Sequence, residues 1–331
     1  MPPWEPRAIP RMYSDFQVDP RRPWRRSTPP PTWQARRAQA RSFGGAAIQR
    51  LAERVSGNHL VVVNFVPTAE PRPRYGYGRP AHPELLALLA GQRGRFAAAL
   101  AAIGRHTADL LAIPIEPDGT AAPAWGQTWV PPLDGAALYA FVRDRRPARF
   151  LEVGSGWSTR FVAQAVRDGG LPTQVISIDP EPRAEIDALC DRVIRGALET
   201  SDLGIFAELE PGDVVFIDNS HRSFTNSDVT VFFLDVLPRL PDGVLVGIHD
   251  ITLPADYPPG WTGYHFNEQY LLACYLLGGS PWLRIELAAL YAASDEELGV
   301  EPAELKERLT AAGVQWFGTG FWFTIDRGQV A

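Results

Sequence analysis

From residue 149 onward the chain alternates short β-branched runs with amphipathic stretches, and few folds accept that alternation. Residues 149–153 (RFLEV), 174–179 (QVISID), 191–195 (DRVIR), 213–218 (DVVFID) and 243–249 (GVLVGIH) are each bounded by Gly, Pro or Asp. Short apolar runs with such boundaries read as strands. The stretches between them, 158–167, 183–189, 203–209 and 224–237, predict helices. Strand and helix alternating at this spacing mean parallel strands joined by right-handed crossovers. Beyond them the sequence predicts a helix over 267–277, a strand over 282–287, a helix over 302–312 and a last strand over 320–325. The expected fold class is α/β, a doubly wound and mostly parallel sheet.

The chain before residue 133 lacks this pattern and reads as a helical and irregular N-terminal extension. Prolines 2, 3, 6, 10, 20, 23 and 29–31 crowd its beginning, where they forbid regular helix or central strand. A three-part division follows: a basic Pro/Arg-rich arm over 1–57 with one short helix over 32–55, a helical cap and linker over 58–132, and the main domain over 133–331. Within the cap, 60–66 (LVVVNFV) suggests a strand, 84–111 repeats Leu and Ala at helical spacing, and 114–132 is a proline-rich link.

Charge sharpens the same division. The net charge is −6, yet residues 1–50 carry ten arginines against Glu5, Asp15 and Asp19, leaving the rest of the chain at −13. A basic arm could reach an anionic partner, fold back on its own acidic body, or join copies into a homo-oligomer. Its arginines are not interleaved with a nucleic-acid motif, and the acidic body disfavours a phosphate backbone, so nucleic acid is not the expected ligand. No window holds the roughly 18 apolar residues of a membrane span, and Cys190 and Cys274 form no disulfide framework or CxxC pair. The expectation is a protein without a membrane partner, located in the cytoplasm.

The segment 152–159 (EVGSGWST) follows the first strand and opens a helix. Gly154 and Gly156 let the backbone turn tightly against a ligand, and the helix start behind them offers free N–H groups. A dinucleotide fold uses the same turn but calls for a third glycine where this chain has Thr159. Glu152 suits a cationic amino-acid ligand better than a pyrophosphate. Asp179 ends the second strand, where a carboxylate can take ribose hydroxyls or serve as a turn or N-cap residue. Asp218, Ser220 and His221 follow the fourth strand, and His249 and Asp250 the fifth. Open α/β sheets put their sites at this carboxyl edge, so Glu152, Asp179, Asp218 and His249 are expected to border one cavity.

Together, LEVGSGWST, ISIDPEP, VVFIDNSHRSF, GVLVGIHD and GTGFWFTI resemble the motifs of class I S-adenosylmethionine-dependent methyltransferases, in particular the small-molecule O-methyltransferases. The resemblance covers residues 149–325. It implies a seven-stranded sheet in the order 3-2-1-4-5-7-6 with the last strand antiparallel, and S-adenosylmethionine as cofactor. By the same resemblance Glu152, Gly154, Ser155 and Gly156 surround the methionine moiety, with Ser158 and Thr159 in the same motif. Asp179 and Pro180 would meet the ribose, Ala197 and Leu198 the adenine, and Asp218, Ser220 and His221 complete the cofactor side. The metal-dependent relatives, such as catechol O-methyltransferase, place carboxylates and an amide where Asp218, His249 and Asp250 stand here. His249 departs from that all-oxygen set and leaves room for Mn, Fe or Zn beside Mg; a metal-free pocket lined by His249 and Asp250 is the other reading. His249, His221 and Asp218 are the candidate catalytic groups. Trp261, Tyr264 and His265, in the aromatic loop 256–268, are candidate contacts to a small-molecule substrate, a natural product or a sugar, and Asn267 reads as the N-cap of the next helix. The rival readings are an NAD(P)-dependent oxidoreductase, which shares the turn, and a non-catalytic methyltransferase-like partner protein that assembles through its basic arm.

Overall fold

The computed structural model describes residues 4–6, 72–182, 184–298 and 302–329. The expected helix over 32–55 and strand over 60–66 lie outside the described residues. The described chain forms helices α1 (Pro83–Ala90), α2 (Arg93–Arg105), α3 (Thr107–Ala112) and α4 (Pro132–Arg145), then β1 (Arg149–Val153), α5 (Trp157–Gly169), β2 (Gln174–Ile178) and β3 (Arg192–Ile194). It continues through α6 (Gly204–Ala207), β4 (Val214–Ile217), α7 (Asp228–Val231), β5 (Leu245–Ile248), α8 (Glu268–Leu277), β6 (Leu283–Ala288), α9 (Ala289–Ser294), α10 (Ala303–Ala311) and β7 (Phe321–Ile325). The sheet order is β3-β2-β1-β4-β5-β7-β6. Strands β1 to β5 pair in parallel, and β7 runs antiparallel to both β5 and β6. The α/β, doubly wound architecture expected from the sequence is the one observed.

The central strands are apolar on both faces because helices cover both. Every residue of β4, β5 and β7 is buried, as a sheet packed on two sides requires. Helix α4 lies in this cover, with Pro132 to Val142 buried without interruption. It lies where the sequence showed only the end of a proline-rich link. Pro132 takes the first helical position, where its missing N–H is harmless, and burial on all sides erases the polar stripe that marks a surface helix. Gly135 lets α4 approach α5: a Cβ there would stand 2.8 Å from the Phe161 ring.

Several helical expectations need correction. The 84–111 stretch is three helices, because the first ends at Gly91 and the second at His106, with α1 and α2 bent by 59°. Among the described residues no single helix is long and apolar enough to cross a membrane. Over 183–189 only a 3₁₀ turn forms, Asp187–Leu189, since Ile186 is the one buried side chain described there and a single anchor cannot hold a helix. The helix expected over 203–209 shortens to α6, ahead of the Pro211-Gly212 turn. Over 224–237 helix starts only at Asp228, where Ser227 Oγ accepts from Thr230 N. It then widens to a π-turn, Phe232–Val236, and Pro238 follows in a 3₁₀ turn.

One close contact ties the sheet to α4. Trp322 of β7 stands opposite Gly247 of β5, with its ring centroid 5.5 Å from that of Phe216 and 4.9 Å from that of Phe141. A Cβ on Gly247 would lie 2.5 Å from the Trp322 ring. Gly247→Ala is therefore expected to lower the unfolding free energy by about 1–3 kcal/mol through overpacking. The denaturant midpoint should fall at unchanged slope; an unaltered midpoint would show that the ring has room to move.

Candidate active site

Register makes the site. Val153, Ile178 and Ile217 are level across β1, β2 and β4, and Ile217 is level with Ile248 of β5. The next residues, Gly154, Asp179, Asp218 and His249, therefore leave the sheet side by side. The ladder carries them one step further: Gly154 N donates to Ile178 O at 3.0 Å, Asp218 N to Val153 O at 2.8 Å, and His249 N to Ile217 O at 2.8 Å.

Gly154 has no alternative. It has φ +81°, and a Cβ would fall 1.8 Å from the carbonyl oxygen of Asp218, inside any van der Waals contact. The turn it makes opens a cavity of about 320 Å³ bounded by Gly154, Ser155 and Gly156, by Asp179 and Pro180, by Ala197 and Leu198, and by Asp218 and Ser220. Val153 and Ile178 also line it, and Trp129, Val130, Trp157, Glu181, Glu199, Asn219 and Asp228 complete its walls, none of these seven singled out in the sequence. Asp179 also fixes the turn, its carboxylate accepting from Ser155 N at 2.6 Å and Glu181 N at 2.7 Å. Asp228 does the same for the loop after β4, accepting from Ser220 N at 2.7 Å and Ser220 Oγ at 2.6 Å.

The expected single cavity holds only in part. Glu152 is fully buried beneath the turn, accepting from Ser158 Oγ at 3.1 Å and from Thr159 Oγ1. Its side chain is therefore no wall of the cavity, and neither are Ser158, Thr159, His221, His249 or Asp250. Burial pushes the Glu152 carboxyl up to about 8 despite those hydroxyl donors. The loop candidates also lie elsewhere. Trp261 is buried against Tyr257 and Phe266, Tyr264 packs on Phe266, and His265 is exposed in a left-handed turn. Asn267 does precede α8, but its Oδ1 accepts from Ser223 N at 2.6 Å in place of capping the helix.

Behind the Asp218 wall lies a buried group of imidazoles and carboxylates. His249 Nδ1 lies 3.3 Å from Asp218 Oδ1 and 3.6 Å from Asp250 Oδ1, while its Nε2 lies 3.4 Å from Asp134 Oδ2. His221 Nε2 lies 3.4 Å from Asp218 Oδ1 and 3.5 Å from Asp250 Oδ2, and its Nδ1 lies 2.9 Å from Glu268 Oε2. Burial alone would lower both imidazoles. For His221 the bonds to Asp218 and Glu268 outweigh it and raise the group to about 10, and for His249 the charges of Asp250 and Asp218 lift it well above its ordinary value. Asp218 moves the other way, held far below the usual carboxylate range by the two histidines against the pull of burial. His221 and Asp250 adopt φ +57° and +54°, a left-handed backbone that costs a non-glycine residue roughly 1–3 kcal/mol and persists where surrounding contacts enforce it.

Asp134, Glu268 and Thr319 join this group without having been read from the sequence. Asp134 accepts from Thr319 N at 2.7 Å and Gly320 N at 2.9 Å, and Thr319 Oγ1 donates to Asp250 Oδ1 at 3.2 Å. The one available signal was an aspartate in an otherwise apolar run, 132–142. Among the described residues no group of three His, Cys, Asp or Glu side chains is placed to hold a metal ion, so the metal expected on Asp218, His249 and Asp250 has no site as these side chains stand.

Residues 151–251 match a family model described as a methyltransferase domain. No curated protein matches the chain. Solved structures similar to it include an S-adenosylhomocysteine-bound methyltransferase, PaMTH1, from Podospora anserina, at 18% identity over 64% of this chain and 93% of that one, with a TM-score of 0.34. The O-methyltransferase TomG from Streptomyces achromogenes is 16% identical over 69% and 89%, TM-score 0.30, and an O-methyltransferase from Bacillus cereus is 17% identical over 68% and 84%, TM-score 0.30. The methyltransferase-domain model thus spans the stretch from β1 to just past β5, on a sheet whose order, 3-2-1-4-5-7-6, is the one expected from the sequence resemblance.

Proposed function

We propose that the chain transfers the methyl group of S-adenosylmethionine to a hydroxyl oxygen of a small molecule. The observation that carries the oxygen acceptor is the buried His221–Glu268 pair behind Asp218, since an alcohol must lose its proton to become a useful nucleophile. The cofactor reading rests on the Gly154 turn, which a Cβ would fill, and on the cavity walls that follow it. In this reading Gly154 to Gly156 offer backbone to the methionine portion, Asp179 and Pro180 meet the ribose, and Ala197 and Leu198 bound the adenine. Glu152, neutral under the turn at pH 7, ionises when an ammonium group arrives above it. The bound cofactor supplies an electrophilic sulfonium methyl.

The residues of the chain do the rest. His221 Nε2 takes the hydroxyl proton when the ring is neutral, a form that its pKa of about 10 reserves for alkaline pH, with Glu268 on Nδ1 holding the ring in place. Asp218 stands between the cavity and both imidazoles. The oxygen–carbon bond forms as the carbon–sulfur bond breaks, giving a methyl ether and S-adenosylhomocysteine, and alignment supplies much of the acceleration.

Three outcomes test the reading. Asp179→Ala is expected to weaken S-adenosylhomocysteine by more than ~10-fold, the scale of one lost charged hydrogen-bonding partner, in a calorimetric titration where NADH gives no binding; NADH binding to the parent chain would move it to the oxidoreductases. Because burial holds Glu152 near pKa 8, S-adenosylhomocysteine binding at pH 7 should release a proton. The binding heat should then depend on the buffer's ionisation enthalpy in the parent but not in Glu152→Gln, and a buffer-independent heat in both removes Glu152 from the cofactor site. His221→Gln and His249→Ala should each abolish turnover of hydroxylated acceptors while S-adenosylhomocysteine affinity stays within a few-fold. Full turnover in either variant would remove that histidine from the mechanism, and binding without transfer to any acceptor would leave a non-catalytic protein.

A further inference from the structure

Residues 125–130, just ahead of α4, are tied to the fold by a run of hydrogen bonds. Trp125 is buried, its N donating to Pro114 O at 3.0 Å and its Nε1 to Leu110 O at 3.2 Å, and Gly126 N donates to Ile115 O at 2.6 Å. Gln127 then brackets the residues that follow with its own side chain. Its Oε1 accepts from Trp129 N at 2.7 Å and Val130 N at 2.9 Å, and its Nε2 donates to Val130 O at 2.5 Å. Val130 is 2% exposed, yet Trp129, on the same clamped backbone, is 39% exposed and lines the cavity. A large indole held at a cavity wall with much of its surface in water is a ready contact for a ring.

The methyl-transfer reading gives the walls at 154–156, 179–180 and 197–198 to the cofactor. Trp129, Val130 and Trp157 remain, together with the polar loop 218–220 and Asp228. The side chains of Asn219, Ser220 and Asp228 are already committed. Asn219 Oδ1 accepts from His221 N at 2.9 Å while its Nδ2 donates to Glu268 Oε1 at 3.1 Å. Ser220 Oγ donates to Asp228 Oδ1 at 2.6 Å, and Asp228 also accepts from Ser220 N at 2.7 Å and Val229 N at 2.8 Å. A sugar entering here would give up the water bonds of several hydroxyls and find few replacements. A flat ring with a single hydroxyl loses little and gains the indole.

Charge narrows the class further. Asp179, Glu181, Glu199, Asp218 and Asp228 line the cavity, and among the described residues no Lys, Arg or His does. Arg160, stacked 4.4 Å from the centre of the Trp157 ring, turns its Nη1 to Thr120 O at 2.9 Å. An anionic acceptor would therefore meet like charge in the cavity wall, at a cost that low dielectric enlarges.

We propose that Trp129, positioned by Gln127, determines acceptor specificity, and that the acceptor is a neutral or cationic aromatic hydroxyl compound, neither a sugar nor an anion. This names the substrate class of the methyl-transfer reading and rests on it. Trp129 stacks on the acceptor ring, and Gln127 is a positioning residue acting through the backbone of Trp129 and Val130.

The test uses the full chain, with S-adenosylhomocysteine binding measured first by calorimetry. Tyramine, para-ethylphenol, para-hydroxyphenylacetate and methyl glucoside are then titrated into the protein with and without S-adenosylhomocysteine, and methyl transfer to each from S-adenosylmethionine is followed. The first three share a phenol and are cationic, neutral and anionic in turn. Tyramine and para-ethylphenol are expected to bind at least ~10-fold more tightly than para-hydroxyphenylacetate, and methyl glucoside to show neither binding nor transfer. Trp129→Ala should weaken para-ethylphenol by ~10–100-fold with S-adenosylhomocysteine affinity within a few-fold. Gln127→Ala should raise KM for para-ethylphenol at nearly constant kcat, and Gln127→Glu, which keeps an acceptor for both N–H groups, should recover most of the loss.

The proposal is overturned if the glucoside or para-hydroxyphenylacetate does as well as para-ethylphenol, if Trp129→Ala leaves phenol affinity intact or weakens S-adenosylhomocysteine equally, or if Gln127→Ala lowers kcat with KM unchanged. The comparison of the four compounds needs no variant and carries the test if Trp129→Ala does not fold. Protein that binds S-adenosylhomocysteine but no phenol would end this proposal alone. Phenol binding without any S-adenosylhomocysteine affinity would end the methyl-transfer reading and leave the ring site standing.

Discussion

The site depends on the approach of Gly154 to the backbone of Asp218. With 1.8 Å between a notional Cβ and the Asp218 carbonyl oxygen, any other residue would push the loops after β1 and β4 apart. The turn after β1 and the loop after β4 could then no longer share a cavity wall. Everything at the carboxyl edge inherits its position from that contact and from the level tips Val153, Ile178, Ile217 and Ile248. The glycine thus acts on two levels: its positive φ makes the turn, and its missing side chain lets adjacent strands deliver Asp218 and His249 beside that turn.

How far the sequence reveals this arrangement follows from how local each signal is. Strand ends are local, because β-branched runs stop at Gly, Asp or His, and so Gly154, Asp179, Asp218 and His249 could be placed from the chain alone. Helices with one buried stripe were legible too; α5 and α8 begin and end close to their expected positions. Helix α4 was not, because a segment packed between sheet and neighbours has no polar face to give it a period. The 224–237 stretch failed for a different reason. Its apolar spacing is helical, but Ser227 and Pro238 interrupt it with a cap and a break that reset the turn geometry.

The same distinction divides the site. The cavity walls contributed by strand tips were anticipated, whereas Trp129 and Val130 arrive from the segment just before α4, and no spacing rule connects 129 with 154. Glu268 looked like an ordinary acid in the first turn of a helix, where the dipole favours one. Its burial and its 2.9 Å contact with His221 are tertiary facts. Glu152, in turn, was assigned to the right place for the wrong geometry: it underlies the turn and does not face the cavity, so any influence on a ligand is exerted through ionisation beneath Ser155 and Gly156.

The buried imidazoles explain why the left-handed residues are where they are. His221 can point Nε2 at Asp218 and Asp250 while Nδ1 meets Glu268 only if the loop after β4 reverses at that residue, and Asn267 N, donating to His221 O at 2.9 Å, holds the reversal. Asp250 must turn back beneath His249 immediately after β5, and Ile251 N, donating to Thr319 O at 2.8 Å, pins the chain on the far side. Each strained residue is thus clamped by a backbone bond to an element from elsewhere in the chain, α8 for one and the entry to β7 for the other. The strain, of order a few kcal/mol over the two residues, is outweighed by contacts that no local sequence could supply. Clamping at these two residues is what keeps the facing atoms of two imidazoles and four carboxylates in register.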